Sequence, residues 1–210
     1  QLFVCELMLH CDILLVQEHW CLEANIHHLV SQTDGVNILG TSAMDDTEML
    51  YGRPFGGCAL IYKSSLNCKL NLLPSHSKRL LAASCVMSSV FNALIANVYM
   101  PCDGMQKDQC IEFANILCEI DALMDAHDCP DFVILAGDFN SDLARTNSEH
   151  SKMLKEFCDS RSILFALNLP NAQIPHTHEN DANGARSTID HFMFSENMKD
   201  LVLDYRTVER

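Results

Sequence analysis

Two short, wholly apolar runs, each ending abruptly in a carboxylate, constrain this chain more than any other feature. Ile13-Leu14-Leu15-Val16 runs through Gln17 into Glu18, and Phe132-Val133-Ile134-Leu135-Ala136 runs through Gly137 into Asp138. Runs of this length without polar alternation fit strands buried on both faces. A carboxylate just beyond such a strand projects from the end of a sheet, because an ionised group left unpaired in a core is too costly.

Around these two strands the pattern alternates. Residues 2–10 have helical spacing, Leu22–Val30 reads as a second helix, and a strand is expected at Val36–Gly40. The turn-rich stretch Tyr51-Gly52-Arg53-Pro54-Phe55-Gly56-Gly57 separates these from four strand-like runs: Cys58–Lys63, Cys68–Leu73, Arg79–Met87 and Phe91–Met100. Their close spacing suits antiparallel neighbours. Asp103–Ala126 is the longest amphipathic helix, with a stripe including Ile111, Ile116, Leu117, Ile120 and Leu123, and Ser148 caps a helix over 148–160. Strands are expected near Ser187–Ser195 and Leu201–Val208. Strands and helices mixed without strict βαβ repetition favour an α+β class over a doubly wound sheet.

Composition bounds the function. A chain of 210 residues that is 48% hydrophobic and 20% charged suits one domain with a real core, which excludes disordered and low-complexity classes. No apolar run approaches the roughly 20 residues that cross a bilayer, so no membrane role is expected. The 11 cysteines are odd in number and form no C-x-x-C pair, which suggests reduced thiols in an intracellular protein. The net charge of −14 argues against a broad basic surface for nucleic acid. It leaves room for a metal-assisted site, where carboxylates do the chemistry.

Glu18, Asp138 and Asp190, each at the end of an apolar strand, are the candidate residues for such a site, with Asn140 as a neutral donor beside Asp138. Hard oxygen donors suit Mg²⁺, which takes few protein ligands and keeps water or substrate phosphate in its other positions. Arg53, Arg145 and Arg186 are candidate phosphate contacts on loops, and His178, in His176-Thr177-His178, is a softer one. Trp20 and Phe55 either stack on a base or pack in the core; the sequence leaves both readings open. His191 follows Asp190 directly, so on a strand the two point to opposite faces and cannot both serve one phosphate.

Five segments in order, Gln17-Glu18-His19-Trp20, Gly52-Arg53-Pro54-Phe55-Gly56-Gly57, Asn97-Val98-Tyr99-Met100-Pro101, Gly137-Asp138-Phe139-Asn140 and Ser187-Thr188-Ile189-Asp190-His191-Phe192, resemble the endonuclease/exonuclease/phosphatase superfamily. The resemblance is strongest to the apurinic-type endonuclease domain of non-long-terminal-repeat retrotransposons. It implies a four-layered α/β sandwich, two facing mixed sheets flanked by helices, and phosphodiester hydrolysis with Mg²⁺, or Mn²⁺ in its place, on DNA as substrate. By position, Glu18 resembles the metal-binding glutamate and Tyr99 the tyrosine whose hydroxyl approaches the scissile phosphate. Asp138 resembles the aspartate that orients or deprotonates water, Asn140 the asparagine that holds the phosphate, and Asp190 the aspartate that pairs with a catalytic histidine.

The resemblance also implies attachment to a reverse transcriptase and a nuclear location, without a membrane partner. Two motifs of the family, an initial strand ending in Asn and a terminal Ser-Asp-His, do not occur in the 210 residues. The expectation is therefore a domain cut at both ends, with feeble nicking on its own. A phosphatase of the same fold acting on a small phosphorylated compound, and a non-catalytic interaction remnant, are the alternative readings.

Overall fold

A computed structural model describes residues 2–45, 47, 55–87, 91–104, 107–126 and 130–208. Its elements gather into two compact units, residues 1–99 and 100–210.

The first unit opens with α1 (Leu2–Met8) and β1 (Ile13–Gln17), followed by a 3₁₀ helix over Glu23–Val30 where an α-helix was expected. β2 (Val36–Thr41), β3 (Cys58–Lys63), β4 (Lys69–Leu72), β5 (Leu80–Met87) and β6 (Phe91–Tyr99) complete it. β3 lies between β1 and β2, antiparallel to both. β4, β5 and β6 form a separate antiparallel run. The expectation that β3 to β6 are all neighbours thus fails for β3. Every residue of β1 is half-buried, not enclosed, because β1 is at the edge of its sheet; β3 in the middle holds the fully buried run Cys58–Ile61. Val4 and Met8 of α1 pack with Ile61, against Leu14, Val16 and Ile38.

In the second unit α2 (Lys107–Ala126) leads to β7 (Phe132–Asp138), α3 (Glu149–Arg161) and β8 (Ile163–Phe165). Short strands follow: β9 (Ala172–Gln173), β10 (His178–Glu179), β11 (Arg186–Ser187), β12 (Asp190–Ser195) and β13 (Tyr205–Arg206). β12 is antiparallel to both β7 and β8. The buried stripe of α2 is Phe113, Ile116, Leu117, Ile120 and Leu123, while Ile111 of the expected stripe faces out. Ser148 caps α3 as its sequence suggests, its hydroxyl accepting the Ser151 N–H at 2.9 Å. The strand expected over 201–208 shrinks to β13, paired in parallel with β9. Mixed sheets flanked by helices make the class α+β, as the alternation of patterns implies. No helix among the described residues is long and apolar enough to cross a membrane.

Candidate active site

In the second unit the end of β7 is built by four consecutive residues, each held for a separate reason. Gly137 takes φ 141°, a region that side chains disfavour. Asp138 follows, with its backbone carbonyl accepting from Met100 N–H at 2.8 Å. Phe139 is fully buried and donates its N–H to the Ile189 carbonyl at 2.8 Å, which fastens the turn to the entrance of β12. Asn140 is left-handed at φ 48°. The turn is therefore not extended there; it folds back so that Asn140 N–H donates to Asp138 Oδ1 at 2.8 Å, while Asn140 Nδ2 donates to the Met100 carbonyl at 2.8 Å.

Asp190 is the cross-strand partner of Asp138. Burial pushes its carboxyl above the usual range, opposed by the Thr177 hydroxyl and by the nearby His191 and His178 rings. Thr177 Oγ1 accepts the backbone N–H groups of both Ile189 and Asp190 at 3.0 Å. A threonine immediately ahead of a hairpin carries no sequence signal for this role. His191 turns to the opposite face, buried against Phe139 and Phe165, with Nε2 2.7 Å from the Ser141 carbonyl. Its burial keeps it neutral at a pH where a free histidine is charging.

A cavity of about 300 Å³ adjoins this turn, lined by Asn140, His178 and Arg186, together with Asp103, Arg145 and the hairpin residues Asn180 and Asn183. β10 and β11 form that hairpin. Gly184 supplies its positive φ, and the Asn180 and Asn183 side chains accept from Ala182 and Ala185 N–H. Arg186 is 3.0 Å from Glu179, which also lies 3.6 Å from His176. Asp103 is a member of this cavity that spacing alone did not single out. Behind it sits His150, wholly buried and stacked on Phe113, with Nδ1 3.9 Å from Asp103 Oδ1. Neither ring nitrogen of His150 has a hydrogen-bond partner among the described residues.

The first unit carries Glu18 and Tyr99. Glu18 is exposed, just past β1, at φ 53°, and Trp20 follows at φ 58°. Two left-handed residues around one histidine need firm anchoring, and His19 provides it. Its Nδ1 accepts Cys21 N–H at 3.0 Å and its Nε2 lies 3.1 Å from the Thr41 carbonyl. Its ring occupies the space beside Gly57, where an added Cβ would come within 2.4 Å of it. Burial lowers the pKa of His19, in keeping with a neutral ring that accepts at Nδ1 and donates at Nε2. Beneath the loop, Asn97 of β6 donates to the Val16 and Ala59 carbonyls at 2.9 and 2.8 Å and accepts from the Gln17 side chain. Tyr99 is half-buried at the end of β6, with the Arg79 guanidinium 5.0 Å above its ring. Arg53 lies outside the described residues.

Thus Asp138, Asn140 and Asp190 share one turn region in the second unit, with His178 and Arg186 on the cavity beside Asn140, while Glu18 and Tyr99 end strands of the first. Among the described residues no three His, Cys, Asp or Glu side chains gather as a ligand cluster. An exposed carboxylate at a rigid strand end fits in kind a hard cation held by few protein oxygens, which is how Mg²⁺ is ordinarily bound. All ten described cysteines are free, and burial raises Cys58, Cys85 and Cys158 to about 12, which makes them inert.

The profile of a family described as endonuclease-reverse transcriptase matches residues 93–209. No curated protein sequence matches the chain. Solved structures are similar over nearly its whole length. A 3′-5′ exonuclease from Neisseria meningitidis has a TM-score of 0.69 at 16% identity, covering 99% of this chain and 89% of its own. The endonuclease domain of TRAS1, a telomere-specific non-LTR retrotransposon, gives 0.60 at 13%, covering 95% and 80%. A mannosyl-6-phosphatase from Bacteroides thetaiotaomicron gives 0.59 at 17%, covering 92% and 75%. At such identities the likeness is one of fold, and that fold is the one the five motifs imply.

Proposed function

Because the chain belongs to the endonuclease-reverse transcriptase family, within the endonuclease/exonuclease/phosphatase superfamily, we propose that it hydrolyses phosphodiester bonds of DNA with Mg²⁺ as cofactor. The observation that carries this reading is the register of β12 on β7, which sets Asp190 opposite Asp138 at the strand ends, a pairing of acidic residues that a purely structural sheet avoids. Asp138 takes the proton from the attacking water. Its Oδ1 accepts the Asn140 N–H, which steadies the carboxyl group. Asn140, whose amide is anchored on the Met100 carbonyl, holds a phosphate oxygen. Tyr99, under Arg79, offers its hydroxyl to the phosphate, and Arg186, Arg145 and His178, which line the cavity beside Asn140, contact flanking phosphates. Glu18 is the residue that would hold Mg²⁺, which when bound neutralises charge on the phosphoryl oxygens. The family description also supports a chain that works alongside a reverse transcriptase, for which a nick with a free 3′-hydroxyl is a primer.

A second reading, a phosphatase acting on a small phosphorylated compound, is favoured by the cavity beside Asn140, whose about 300 Å³ suits a single phosphorylated group better than a strand. One experiment separates the two. The chain is incubated with supercoiled plasmid and, in parallel, with sugar phosphates, each with Mg²⁺ and with EDTA. Open-circle product that needs Mg²⁺, without phosphate release from the sugars, supports the nuclease; phosphate release alone supports the phosphatase and overturns the first reading.

A further inference from the structure

Glu179 and Arg186 face one another directly across the hairpin of β10 and β11, and Arg186 Nε donates to Glu179 Oε2 at 3.0 Å. The backbone around the pair is tied down. Thr177 N–H donates to the Ser187 carbonyl at 3.0 Å, Asn180 N–H to the Ala185 carbonyl at 2.9 Å and Gly184 N–H to the Asn180 carbonyl at 2.7 Å. The hairpin thus fixes the start of the Arg186 side chain, and only its long stem, 62% exposed on the cavity that adjoins Asn140, remains to be placed. A long exposed side chain loses rotamer freedom when it grips a ligand, and that loss weakens binding. Glu179 removes part of the loss in advance. Its carboxylate is backed by His176, whose Nε2 lies 3.6 Å from the same Oε2.

The contact is made at one edge of the guanidinium. Arginine carries its N–H donors in a rigid planar fork, and an acceptor at Nε leaves Nη1 and Nη2 for a second partner, met end-on. Neither terminal nitrogen of Arg186 has a partner among the described residues. We propose that Glu179 is a positioning residue, which holds Arg186 so that Nη1 and Nη2 grip two oxygens of one phosphate group in the cavity. This role rests on the hydrolase reading above and concerns the phosphate contact of that same site. A phosphate with two unbridged oxygens is the chemistry required, and an internal phosphodiester and a phosphate monoester both offer it. A carboxylate beside an anion site can also compete with the anion for the arginine, and the geometry decides against that here. A competing carboxylate closes the fork, as Asp125 does by accepting from Arg161 Nη1 at 2.8 Å and Nη2 at 3.0 Å. Glu179 leaves the fork of Arg186 open. Asp103 lines the same cavity, so charge alone does not draw an anion in, and directed N–H donors are needed.

Affinity is measured in EDTA, so that no cleavage occurs, by anisotropy of a labelled DNA duplex without terminal phosphates and by calorimetry with a sugar phosphate. Glu179→Ala is expected to weaken binding about three- to tenfold. Glu179→Gln, whose amide oxygen still accepts the Arg186 Nε–H, is expected to bind as the parent does. Arg186→Ala weakens binding about tenfold or more, and adding Glu179→Ala to it has no further effect, because the carboxylate acts only through the arginine. Both positions are exposed, so the melting curves are expected to match the parent. A loss seen with the duplex assigns the fork to an internal phosphodiester, and a loss seen with the sugar phosphate alone assigns it to a monoester. Tighter binding by Glu179→Ala makes the carboxylate a competitor and overturns the proposal. So do unchanged binding, failure of Glu179→Gln to rescue, a further loss in the double variant, or a parent chain that binds neither ligand. Nicking assays on the same preparations keep the two claims apart. Metal-dependent cleavage by the parent with unchanged binding in Glu179→Ala overturns only the positioning role, and the expected pattern of affinities without cleavage overturns only the hydrolase reading.

Discussion

Asp190 stands directly opposite Asp138 across the antiparallel pairing of β12 with β7. Side chains at directly opposed positions lie about 5 Å apart at Cβ, and like charges there destabilise a sheet by a few tenths to about 1 kcal/mol. Asp190 is also half-buried, and its carboxyl is raised by that burial. The folded chain therefore holds the Asp190 proton more tightly than the unfolded chain does. Its contribution to stability is full below the ordinary aspartate range and is lost as pH rises through the raised folded value. Asp190→Asn removes this penalty. The variant is expected to melt higher than the parent at neutral pH and to converge with it in acid, while its nicking rate falls. Thermal melts at neutral and acid pH, run beside the nicking assay, check both halves.

The buried histidines work in the other direction. Burial lowers His150 and His191, so the unfolded chain binds more protons than the folded one in the range from their depressed values up to about 6.5. Stability is full above that range and drains as pH falls through it, because each ring must charge inside the core. Among the described residues His150 has no hydrogen-bond partner at either nitrogen, and its ring stacks on Phe113. His150→Phe keeps the stack and removes the titration. Urea unfolding from neutral pH to about pH 5 is expected to show a shallower loss of stability in the variant than in the parent.

Asn97 carries the geometry of the Glu18 loop from beneath. It is fully buried, and its amide bonds two backbone carbonyls and the Gln17 side chain. Asn97→Ala strands those groups without partners, at a cost of about 1–3 kcal/mol for each one left unsatisfied. Chemical denaturation is expected to show a loss of about 2–4 kcal/mol, and Mg²⁺-dependent activity is expected to fall further than stability alone explains. Asn97→Asp, which keeps the shape but sets acceptor oxygens against the two carbonyls in a fully buried position, is expected to cost at least as much as Asn97→Ala.

Gly57 tests the histidine anchor. It sits at φ 92°, and a methyl group there meets the His19 ring at 2.4 Å. Gly57→Ala combines backbone strain with expulsion of the ring, so Glu18 and Trp20 lose their support together. A destabilisation of about 1–3 kcal/mol is expected. The Trp20 emission maximum should shift, and a variant with unchanged emission and stability would contradict this description of the loop.

Much of this was legible in the chain. The strands ending in Glu18 and Asp138 are where their apolar runs put them, Ser148 caps α3, and Asp190 and His191 part to opposite faces as a period of two demands. Asp138, Asn140 and Asp190 were visible because polar groups at the ends of apolar strands are conspicuous. Asp103, Thr177, His150 and Asn97 were not, since each acts through contacts with residues far away in sequence. Asn97 stands among apolar residues of β6, and only its bonds to Val16 and Ala59, 81 and 38 residues away, reveal its task. Half-burial of β1 was also invisible, because an edge position depends on strand order and not on the strand's own composition. Two-residue strands such as β9 and β13 are too short for any periodicity to show.

The central claim is that Asp138 activates water at a phosphodiester bond, and Asp138→Asn tests it most directly. The substitution keeps an oxygen to accept Asn140 N–H and removes only the base. Plasmid nicking in Mg²⁺ is measured for parent and variant at long incubation, with melting curves to show that both are folded. A loss of about a hundredfold or more in the variant, with its melting curve retained, is the expected result. Equal nicking by a folded Asp138→Asn variant would contradict the account.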